Sequence, residues 1–264
     1  MKPIWLGTSW KMNKPLSEAL AWCETLAQRL PEVTHPAIQA FVIPPFTAIH
    51  PVSCYMQQHQ LPCLTGAQNM HEAENGAWTG EISAAMLAEC GATLVELGHS
   101  ERRGAFNETD AAINKKVHSA LRHGLRPLIC IGDSAEEKRW QVSRETVVRQ
   151  MKIALYGLSQ QQVLQTLIAY EPIWAIGEQG TPATPEQAGE IHLALRQALC
   201  ATFGVETGQR IPLLYGGSVN PLNAVELLRQ EEINGLFIGR SAWSAESYCN
   251  IIQRVKQEVI LRTQ

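Results

Sequence analysis

The sequence predicts a single-domain α/β fold of the (β/α)8 barrel type, and two regularities point to it. Short apolar, β-branched runs occur eight times, and stretches with the apolar spacing of helices lie between them. Eight repeats in 264 residues average 33 residues each, the size of a βα unit with a right-handed crossover and parallel strands. Such units close into a barrel without an exposed edge, although a doubly wound open sheet would share the same alternation.

The predicted strands are short and nearly continuously apolar, which is typical of parallel strands covered on both faces. They are Ile4–Gly7, Gln39–Ile43, Pro62–Thr65, Thr93–Leu97, Pro127–Ile131, Thr166–Tyr170, Pro212–Tyr215 and Gly235–Ile238. Helical spacing of apolar residues follows the first strand from Leu16 to Leu30 and the last from Tyr248 to Val259. No stretch has the composition of a linker, so we expect one domain over residues 1–264.

The composition is that of an ordinary globular protein, with 45% hydrophobic residues and a formal net charge of −3. Because there is no basic stripe, we expect neither nucleic acid nor an anionic membrane as the main partner. Seven scattered cysteines without a C-x-x-C spacing, and the lack of a signal-peptide pattern, predict reduced thiols and a cytoplasmic location. The eight histidines form no H-E-x-x-H motif, so we expect no metal site.

In a parallel barrel, chemistry is expected just after the carboxyl ends of the strands. Lys11 follows the first strand, His99 lies in the charged cluster Gly98–Arg103 after the fourth, and Glu171 follows the sixth. A solvated lysine and a surface ion-pair cluster would explain the first two equally well when each is taken alone. Three such groups at equivalent strand ends predict an active site at this end of the barrel.

Glycine-rich segments follow the last two predicted strands, at Tyr215–Val219 and Phe237–Ser241. Glycine lets backbone N–H groups approach an anion closely, and the loops after strands seven and eight commonly hold phosphate in this fold. A tight turn would explain the glycines just as well in isolation. Beside a lysine, a histidine and a glutamate, they predict a site for a small phosphorylated molecule.

Several segments resemble those of the triosephosphate isomerase family in the same order, and the similarity runs nearly end to end. They are Trp10–Asn13, Gly66–Asn69 with Gly76–Glu81, Gly98–Arg103, Cys130–Gly132, Ala169–Gly177, Thr184–Ala188 and Tyr215–Val219. The resemblance implies a TIM barrel that interconverts aldose and ketose forms of a short-chain sugar phosphate through an enediolate. It also implies that neither a metal nor a redox cofactor is needed.

By this resemblance Glu171 is the general base, and His99, held neutral near a helix N-terminus, polarises the substrate carbonyl. Lys11 would neutralise substrate charge, and Glu101 would orient Lys11. These residue types suit the reaction, because isomerisation needs a base, a donor aimed at the developing enediolate and a fixed positive charge. Cys130 is expected to pack beneath the base as a structural residue.

The resemblance also implies how the phosphate and a second subunit are bound. A lid from Pro172 to Ala183, hinged at its first three residues, would close over the phosphate and exclude water. The loop Gln68–Glu81 would reach into a partner, giving a homodimer in which Thr79 approaches the neighbour's active site. The backbone N–H groups expected to hold the phosphate are those of Gly177, Ser218, Gly239 and Arg240.

Four features depart from the family's usual pattern. Ser9 stands where an asparagine is usual, and Arg240 stands where a second glycine is usual. Lys14 and Pro15 replace a glycine, and the lid tip at 178–183 is one residue longer. Replacing an amide by the hydroxyl of Ser9 on the substrate side opens room for a further carbon with its hydroxyl, and Arg240 adds a charged donor.

These departures lead to the hypothesis of a paralogue that isomerises a four-carbon erythrulose phosphate. An ordinary triosephosphate isomerase whose pocket wall has drifted is the first alternative. An inactive descendant that binds a sugar phosphate as a sensor is the second, although a binding protein has no need for the general base Glu171.

Overall fold

The computed structural model describes residues 3–177 and 180–263, and these form a closed barrel of eight parallel strands in sequential order. The strands are β1 (Ile4–Ser9), β2 (Ile38–Ile43), β3 (Cys63–Ala67), β4 (Leu94–Leu97), β5 (Arg126–Ile131), β6 (Leu167–Tyr170), β7 (Leu213–Tyr215) and β8 (Gly235–Ile238). The last strand pairs with the first, with Trp5 opposite Gly235. This closure excludes the doubly wound open sheet and confirms the single-domain TIM barrel.

Helices surround the barrel. Within the described residues the α-helices are α1 (Leu16–Val33), α2 (Ile49–Gln58), α3 (Ala84–Glu89), α4 (Ser100–Ala105), α5 (Asp110–Arg122), α6 (Ala135–Arg139), α7 (Ser143–Ala154), α8 (Gln160–Val163), α9 (Pro185–Phe203), α10 (Val205–Arg210), α11 (Ala224–Leu228) and α12 (Ala245–Thr263). Residues 3–177 and 180–263 also contain three 3-10 helices, at Phe46–Ala48, Ile173–Ala175 and Arg240–Ala242. No helix in this part of the chain has the length and apolar character needed to cross a membrane.

The strand predictions are confirmed to within two residues at each end. Strand β1 continues past the predicted Gly7 because Thr8 and Ser9 pair with Val42 and Ile43 of β2. The helix pattern is richer than one helix per strand, since short helices precede the main ones after β4 and β5. Local caps explain them, because His99 caps α4 and Ser134 forms a capping box on α6.

Side chains alternate between the barrel interior and the helix layer along each strand, as the pleat requires. In β4, Leu94 lies in the inner cluster of apolar side chains, whereas Val95 and Leu97 pack in the outer core. This alternation turns Glu96 inward, next to the barrel axis. On β1, the inner position of Trp5 likewise sets Ser9 on the inner face, at the carboxyl end of the strand.

The lid segment leads directly into α9, whose start is strongly specified. Thr184 accepts a hydrogen bond from Gln187 N, the side chain of Gln187 accepts one from Thr184 N, and Pro185 occupies the first helical turn. The chain at the end of the predicted lid segment is therefore fixed by the start of α9. Two residues that the sequence analysis assigns to the lid tip, Glu178 and Gln179, lie outside the described residues.

Candidate active site

A cavity of about 390 Å³ opens at the carboxyl ends of the strands. It contains every site residue predicted from the sequence, although these residues come from five different strand ends. They are Ser9, Lys11, His99, Glu101, Glu171, Gly177, Ser218, Gly239 and Arg240. The cavity has the position expected for the active site of a (β/α)8 barrel.

Lys11 is held in place from both ends. Its backbone is in the left-handed region, with φ at +54°, a conformation that non-glycine residues adopt only where the surroundings impose it. The amide of Gln68 donates a 2.9 Å hydrogen bond to the Lys11 carbonyl, and Lys11 Nζ donates a 2.7 Å hydrogen bond to Glu101 Oε1. The ammonium group is thereby fixed at the wall of the cavity.

Glu101 keeps its negative charge over a wide pH range. Burial alone would raise the pKa of Glu101, but the hydrogen bond from Lys11 and the charges of Lys11 and His99 lower it below its ordinary value. A carboxylate rather than a carboxylic acid therefore faces Lys11 at neutral pH.

His99 is buried at the start of α4, and its two ring nitrogens have different surroundings. Nδ1 accepts a 3.2 Å hydrogen bond from the backbone N–H of Glu101, an arrangement that leaves the ring proton on Nε2. Nε2 lies 3.6 Å from Glu171 Oε1, on the side of the cavity. Burial lowers the pKa of His99, but the carboxylates of Glu171 and Glu96 raise it, and the pKa lies above its ordinary value. The expected neutral state of His99 therefore stays a prediction.

Glu171 directly follows β6 and is only 2% exposed. Its backbone N–H donates a 2.7 Å hydrogen bond to the carbonyl of Ile131, which extends the sheet pairing by one residue and fixes the carboxylate. Its Oε2 atom is buried and has no hydrogen-bond partner among the described residues. A β-carbon at residue 216 would lie 2.9 Å from Glu171 Cγ, so Gly216 gives this side chain the room it needs. The free oxygen is suited to accept a proton from a ligand.

Cys130 lies on the inner face of β5, close to the two buried carboxyl groups. Burial, and then the negative charges of Glu171 and Glu96, raise the pKa of this thiol well above its usual range. A thiol that stays protonated at neutral pH is not a nucleophile, in agreement with the structural role expected for it.

The opposite side of the cavity is made of backbone. Gly177 has φ at +88°, and Gly239 caps the 3-10 helix that begins with Arg240. A β-carbon at residue 239 would meet nothing within 4 Å, so the space above this glycine is open to a ligand. Together with Ser218, these positions offer backbone N–H groups to an anion.

Two buried carboxyl groups were missed by the sequence analysis. Glu96 of β4 accepts a 2.8 Å hydrogen bond from Ser9 Oγ, and its Oε1 lies 3.9 Å from His99 Nε2. Burial raises the pKa of Glu96 to about 7; the charge of Glu171 adds to this rise, while His99, Ser9 and Lys11 oppose it. A charged residue within an otherwise apolar strand was the signal that could have identified it.

Asp133, two residues after β5, is the other missed carboxylate. It is completely buried and accepts hydrogen bonds from Tyr170 Oη at 2.8 Å, Ser143 Oγ at 2.6 Å and Trp174 Nε1 at 3.1 Å. Trp174 belongs to the 3-10 turn at the first end of the lid. Asp133 thus ties this 3-10 turn, where the lid hinge is expected, to β6 and α7, and its place just after a strand end could have indicated it.

The cluster of Glu96, His99 and Glu171 also has a spacing that could hold a metal ion. One ligand atom from each residue lies within 4.8 Å of the others. Two carboxyl groups beside an imidazole are equally suited to proton transfer, without a metal. The expectation of a metal-free site therefore stays a prediction.

Known proteins match this chain over nearly its whole length. The sequence profile described as triosephosphate isomerase matches residues 4–255. A crystal structure of triosephosphate isomerase from Bartonella henselae superposes with a TM-score of 0.84 and 33% identity, covering 96% of this chain and 100% of that one. The chain belongs to the triosephosphate isomerase family.

Other relatives in this family carry a more specific name. L-erythrulose-1-phosphate isomerase of Rhizobium etli is 47% identical over 257 residues, which is 97% of this chain and 94% of the relative. The protein of the same name from Brucella abortus is 46% identical over 260 residues, covering 98% and 99% of the two chains. These matches confirm the predicted membership and the prediction of an isomerase that acts on a sugar phosphate.

Proposed function

We propose that this member of the triosephosphate isomerase family isomerises a four-carbon ketose phosphate of the L-erythrulose 1-phosphate type. The observation that carries the proposal is the convergence of Glu171 and His99, 3.6 Å apart, beside Lys11 in one buried cavity. The substrate class is supported by relatives at 46–47% identity over nearly the full chain. Residues 1–264 would form one catalytic domain.

The proposed reaction is a pair of proton transfers. Glu171 removes the proton from C3, the electrons of that C–H bond form a C2–C3 double bond, and His99 Nε2 gives its proton to the carbonyl oxygen on C2. The resulting enediol returns the C3 hydroxyl proton to His99, while Glu171 delivers its proton to C2. Lys11 stabilises the negative charge that develops on oxygen, with Glu101 holding its ammonium group in position.

The position of the phosphate decides the product. In erythrulose 1-phosphate C1 carries the phosphate ester and has no free hydroxyl, so the carbonyl moves from C2 to C3 and the product is erythrulose 4-phosphate. On a triose phosphate the same two proton transfers interconvert a ketose and an aldose. One set of acid–base residues therefore serves either substrate, and the cavity wall sets the preference.

The proposed phosphate site is the backbone wall of Gly177, Ser218, Gly239 and Arg240. N–H groups in such loops bind phosphate without requiring a positive net charge of the protein, which agrees with the formal charge of −3. Arg240 lines the same cavity and would add a charged donor there. Closure of the segment from Pro172 to Ala183 would exclude water and protect the enediol from losing phosphate.

The first experiment compares kcat/KM for L-erythrulose 1-phosphate, dihydroxyacetone phosphate and glyceraldehyde 3-phosphate on one preparation. A preference of about tenfold or more for the tetrulose, or ~1.4 kcal/mol in transition-state binding, is expected. The same preference for a triose would establish the alternative, triosephosphate isomerase, which the 33% identical structural neighbour favours.

Proton exchange tests the mechanism separately from the substrate. In D₂O, the wild-type protein should introduce deuterium at the carbons next to the carbonyl, as followed by ¹H NMR, and Glu171→Gln should not. Binding of the tetrulose phosphate without turnover and without exchange would instead support the sugar-phosphate sensor.

We propose further that the protein is a homodimer joined through the loop Gln68–Glu81. Trp78 in this loop is 54% exposed and packs against the tilted ring of His71 with ring centroids 4.4 Å apart, so a large aromatic side chain is presented on a braced loop. Thr79 follows it and would approach the active site of the partner subunit. An exposed aromatic of this kind is typical of a protein interface.

Sedimentation velocity tests the dimer with a matched pair of variants. Thr79→Arg should shift the protein toward the monomer and lower kcat/KM, because a long charged side chain cannot be accommodated in a packed interface. Thr202→Arg, on the exposed face of α9, should leave both unchanged. A dimer that persists in Thr79→Arg with full activity would reject this interface.

The cytoplasm is the proposed location, and the state of the thiols supports it. All seven cysteines, each within the described part of the chain, are unpaired, and four of them are buried. Titration of thiols on the protein denatured straight from cells should find seven free groups. Fewer than that, together with recovery in a secreted fraction, would contradict this location.

A further inference from the structure

The proposed mechanism gives no task to Glu96, a buried ionisable group next to the catalytic residues. Glu96 is 2% exposed, and its carboxyl group lies within the barrel. Its Oε2 accepts the hydroxyl proton of Ser9 at 2.8 Å, although β1 and β4 are not neighbours in the sheet. The hydrogen bond therefore crosses the interior of the barrel, beneath the catalytic groups.

This hydrogen bond decides what Ser9 offers to a ligand. Ser9 lines the cavity, whereas Glu96 lies behind it and is not part of the wall. Because the only proton of the Ser9 hydroxyl points at the carboxylate of Glu96, the oxygen presents its lone pairs to the cavity. Trp243 Nε1 donates a 3.0 Å hydrogen bond to the Ser9 carbonyl, which fixes the residue from the opposite side. Ser9 is thus a hydrogen-bond acceptor of fixed orientation.

An acceptor at this place selects for a hydroxyl group. The phosphate would occupy the backbone wall at Gly177 and Gly239, and the two reacting carbons would lie on the cavity side of Glu171 and His99, within reach of both. The phosphate-bearing carbon and the two reacting carbons account for all three carbons of a triose phosphate, so none is left to contact Ser9. A tetrulose phosphate has one more carbon, which carries a terminal hydroxyl group. That group can donate a hydrogen bond, which the fixed oxygen of Ser9 can accept.

We propose that Ser9 binds the terminal hydroxyl of a four-carbon ketose phosphate and that Glu96 is the positioning residue that holds Ser9 as an acceptor. This inference rests on the proposed function, since it assigns the residues that make the same site specific for its substrate. It gives the buried carboxyl group a role that works through Ser9 and not through contact with the substrate.

The direction of the hydrogen bond between Ser9 and Glu96 should depend on pH. The ionisable groups facing Glu96 are Lys11 after β1, His99 after β4, Cys130 of β5 and Glu171 after β6. With a pKa of about 7, Glu96 is a carboxylate above that pH and an acid below it. A protonated Glu96 can donate to Ser9 Oγ, which reverses the hydrogen bond and turns the Ser9 proton toward the cavity. Ser9 Oγ should therefore accept a hydrogen bond from the substrate hydroxyl most strongly above pH 7.

A double-mutant cycle between the protein and its ligand tests the contact with Ser9. Its partners are Ser9→Ala and the 4-deoxy analogue of erythrulose 1-phosphate, which keeps the carbonyl, the C3 hydroxyl and the phosphate. Loss of the terminal hydroxyl should lower kcat/KM about tenfold in the wild-type protein and less than about twofold in Ser9→Ala. Equal losses in both proteins would overturn the assignment of Ser9.

Glu96→Gln tests the positioning role. The ratio of kcat/KM for tetrulose over deoxytetrulose cancels the titration of His99 and Glu171, which act on both substrates. In the wild-type protein this ratio should rise with pH through about 7, and in Glu96→Gln it should be flat, since an amide does not titrate in this range. A wild-type ratio that does not change with pH, or a variant ratio that keeps the wild-type rise, would overturn the role of Glu96.

Controls separate this inference from folding and from the proposed function. Ser53→Ala removes another buried serine hydroxyl, which donates to the Gly91 carbonyl at 3.1 Å in the helix layer, and should leave the substrate ratio unchanged. If Glu96→Gln does not fold, as judged by circular dichroism, Ser9→Ala still decides the contact. A wild-type protein that turns over no tetrulose phosphate would refute the proposed function itself, whereas turnover with equal losses in the cycle refutes only this inference.

Discussion

Lys11 Nζ and Glu101 Oε1 lie 2.7 Å apart across the mouth of the barrel, although the two residues are 90 positions apart in the sequence. Lys11 lies two residues after the end of β1, and Glu101 is the second residue of α4, so the barrel brings the two loops together at one end. The pair is partly exposed, with 57% of the Glu101 side chain accessible, and contributes little to stability. What the pair provides is a fixed position for the ammonium group of Lys11.

Glu101→Gln should lower kcat/KM by about 10- to 100-fold, because a misplaced ammonium group no longer faces the charge that develops on the substrate. The melting temperature should stay within about 1 °C of the wild-type value, as expected for an exposed pair. Steady-state kinetics and thermal melts check both. Glu136→Gln, which breaks an exposed pair with Arg139 on α6, is the control and should change neither. Unchanged kinetics in Glu101→Gln would reject the positioning of Lys11.

Glu171→Gln should lower kcat by about 10²- to 10⁴-fold, the range typical for the loss of a general base, with little change in KM. Glutamine has nearly the same shape, so the fold should persist. Stopped assays at high enzyme concentration give the residual rate. Glu186→Gln, an exposed glutamate in the first turn of α9, serves as the control. A loss of less than tenfold would exclude Glu171 as the base.

Asp133→Ala should destabilise the protein and slow catalysis. Removing the carboxylate leaves the buried hydroxyl of Tyr170 and the indole N–H of Trp174 without acceptors, at a cost of about 2–4 kcal/mol in the free energy of unfolding. The lid hinge also loses its anchor, so kcat/KM should fall. Urea denaturation and steady-state kinetics measure the two effects.

Ser143→Ala is the matched control for this site, because it removes only the bond that Asp133 receives from α7. It should cost about 1 kcal/mol and leave kcat/KM unchanged. Loss of stability without any change in kcat/KM in Asp133→Ala would show that the carboxylate has no part in lid function.

His192 should make the fold sensitive to acid. Burial lowers the pKa of His192 to about 4, while its Nδ1–H donates to the Ala188 carbonyl at 2.8 Å. The unfolded chain takes up this proton near pH 6.5 and the folded chain near 4, so the contribution is complete above 6.5 and is lost as the pH falls toward 4. The free energy of unfolding should drop by about 2 kcal/mol from this group between pH 7.5 and 5.

His192→Phe keeps a ring between Tyr170 and Tyr215 and should lack this component of the acid slope in urea denaturation. His59→Phe, an exposed histidine stacked on Tyr55, should keep the wild-type slope. If the free energy of unfolding falls equally with pH in the wild-type protein, His192→Phe and His59→Phe, His192 is not the group responsible.

Metal removal should leave activity intact. Although Glu96, His99 and Glu171 place ligand atoms within 4.8 Å of one another, in the proposed mechanism Lys11 supplies the fixed positive charge that the enediolate needs. After dialysis against EDTA, kcat/KM should remain within about twofold of the starting value. Loss of activity that returns with a divalent cation, together with a stoichiometric metal content, would contradict a metal-free mechanism.

The sequence alone determined where the strands lie and which residues come to the candidate site. Eight apolar runs with the spacing of βα units predicted the strands to within two residues, because parallel strands buried on both faces must be short and nearly continuously apolar. Lys11, His99 and Glu171 stood within two residues of strand ends, at the positions where the fold concentrates chemistry. Local order along the chain was sufficient to place these residues, and the resemblance to a known family supplied their expected roles.

Only the tertiary structure decided what surrounds those groups. Barrel closure could not be read from periodicity, since an open sheet repeats the same pattern, and it was fixed by the pairing of β8 with β1. Glu96 and Asp133 gained their roles from partners far away in the sequence, Ser9 across the barrel and Trp174 in the lid. Burial raises the pKa of Glu96 to about 7, and burial is a property of the folded chain that no local segment encodes.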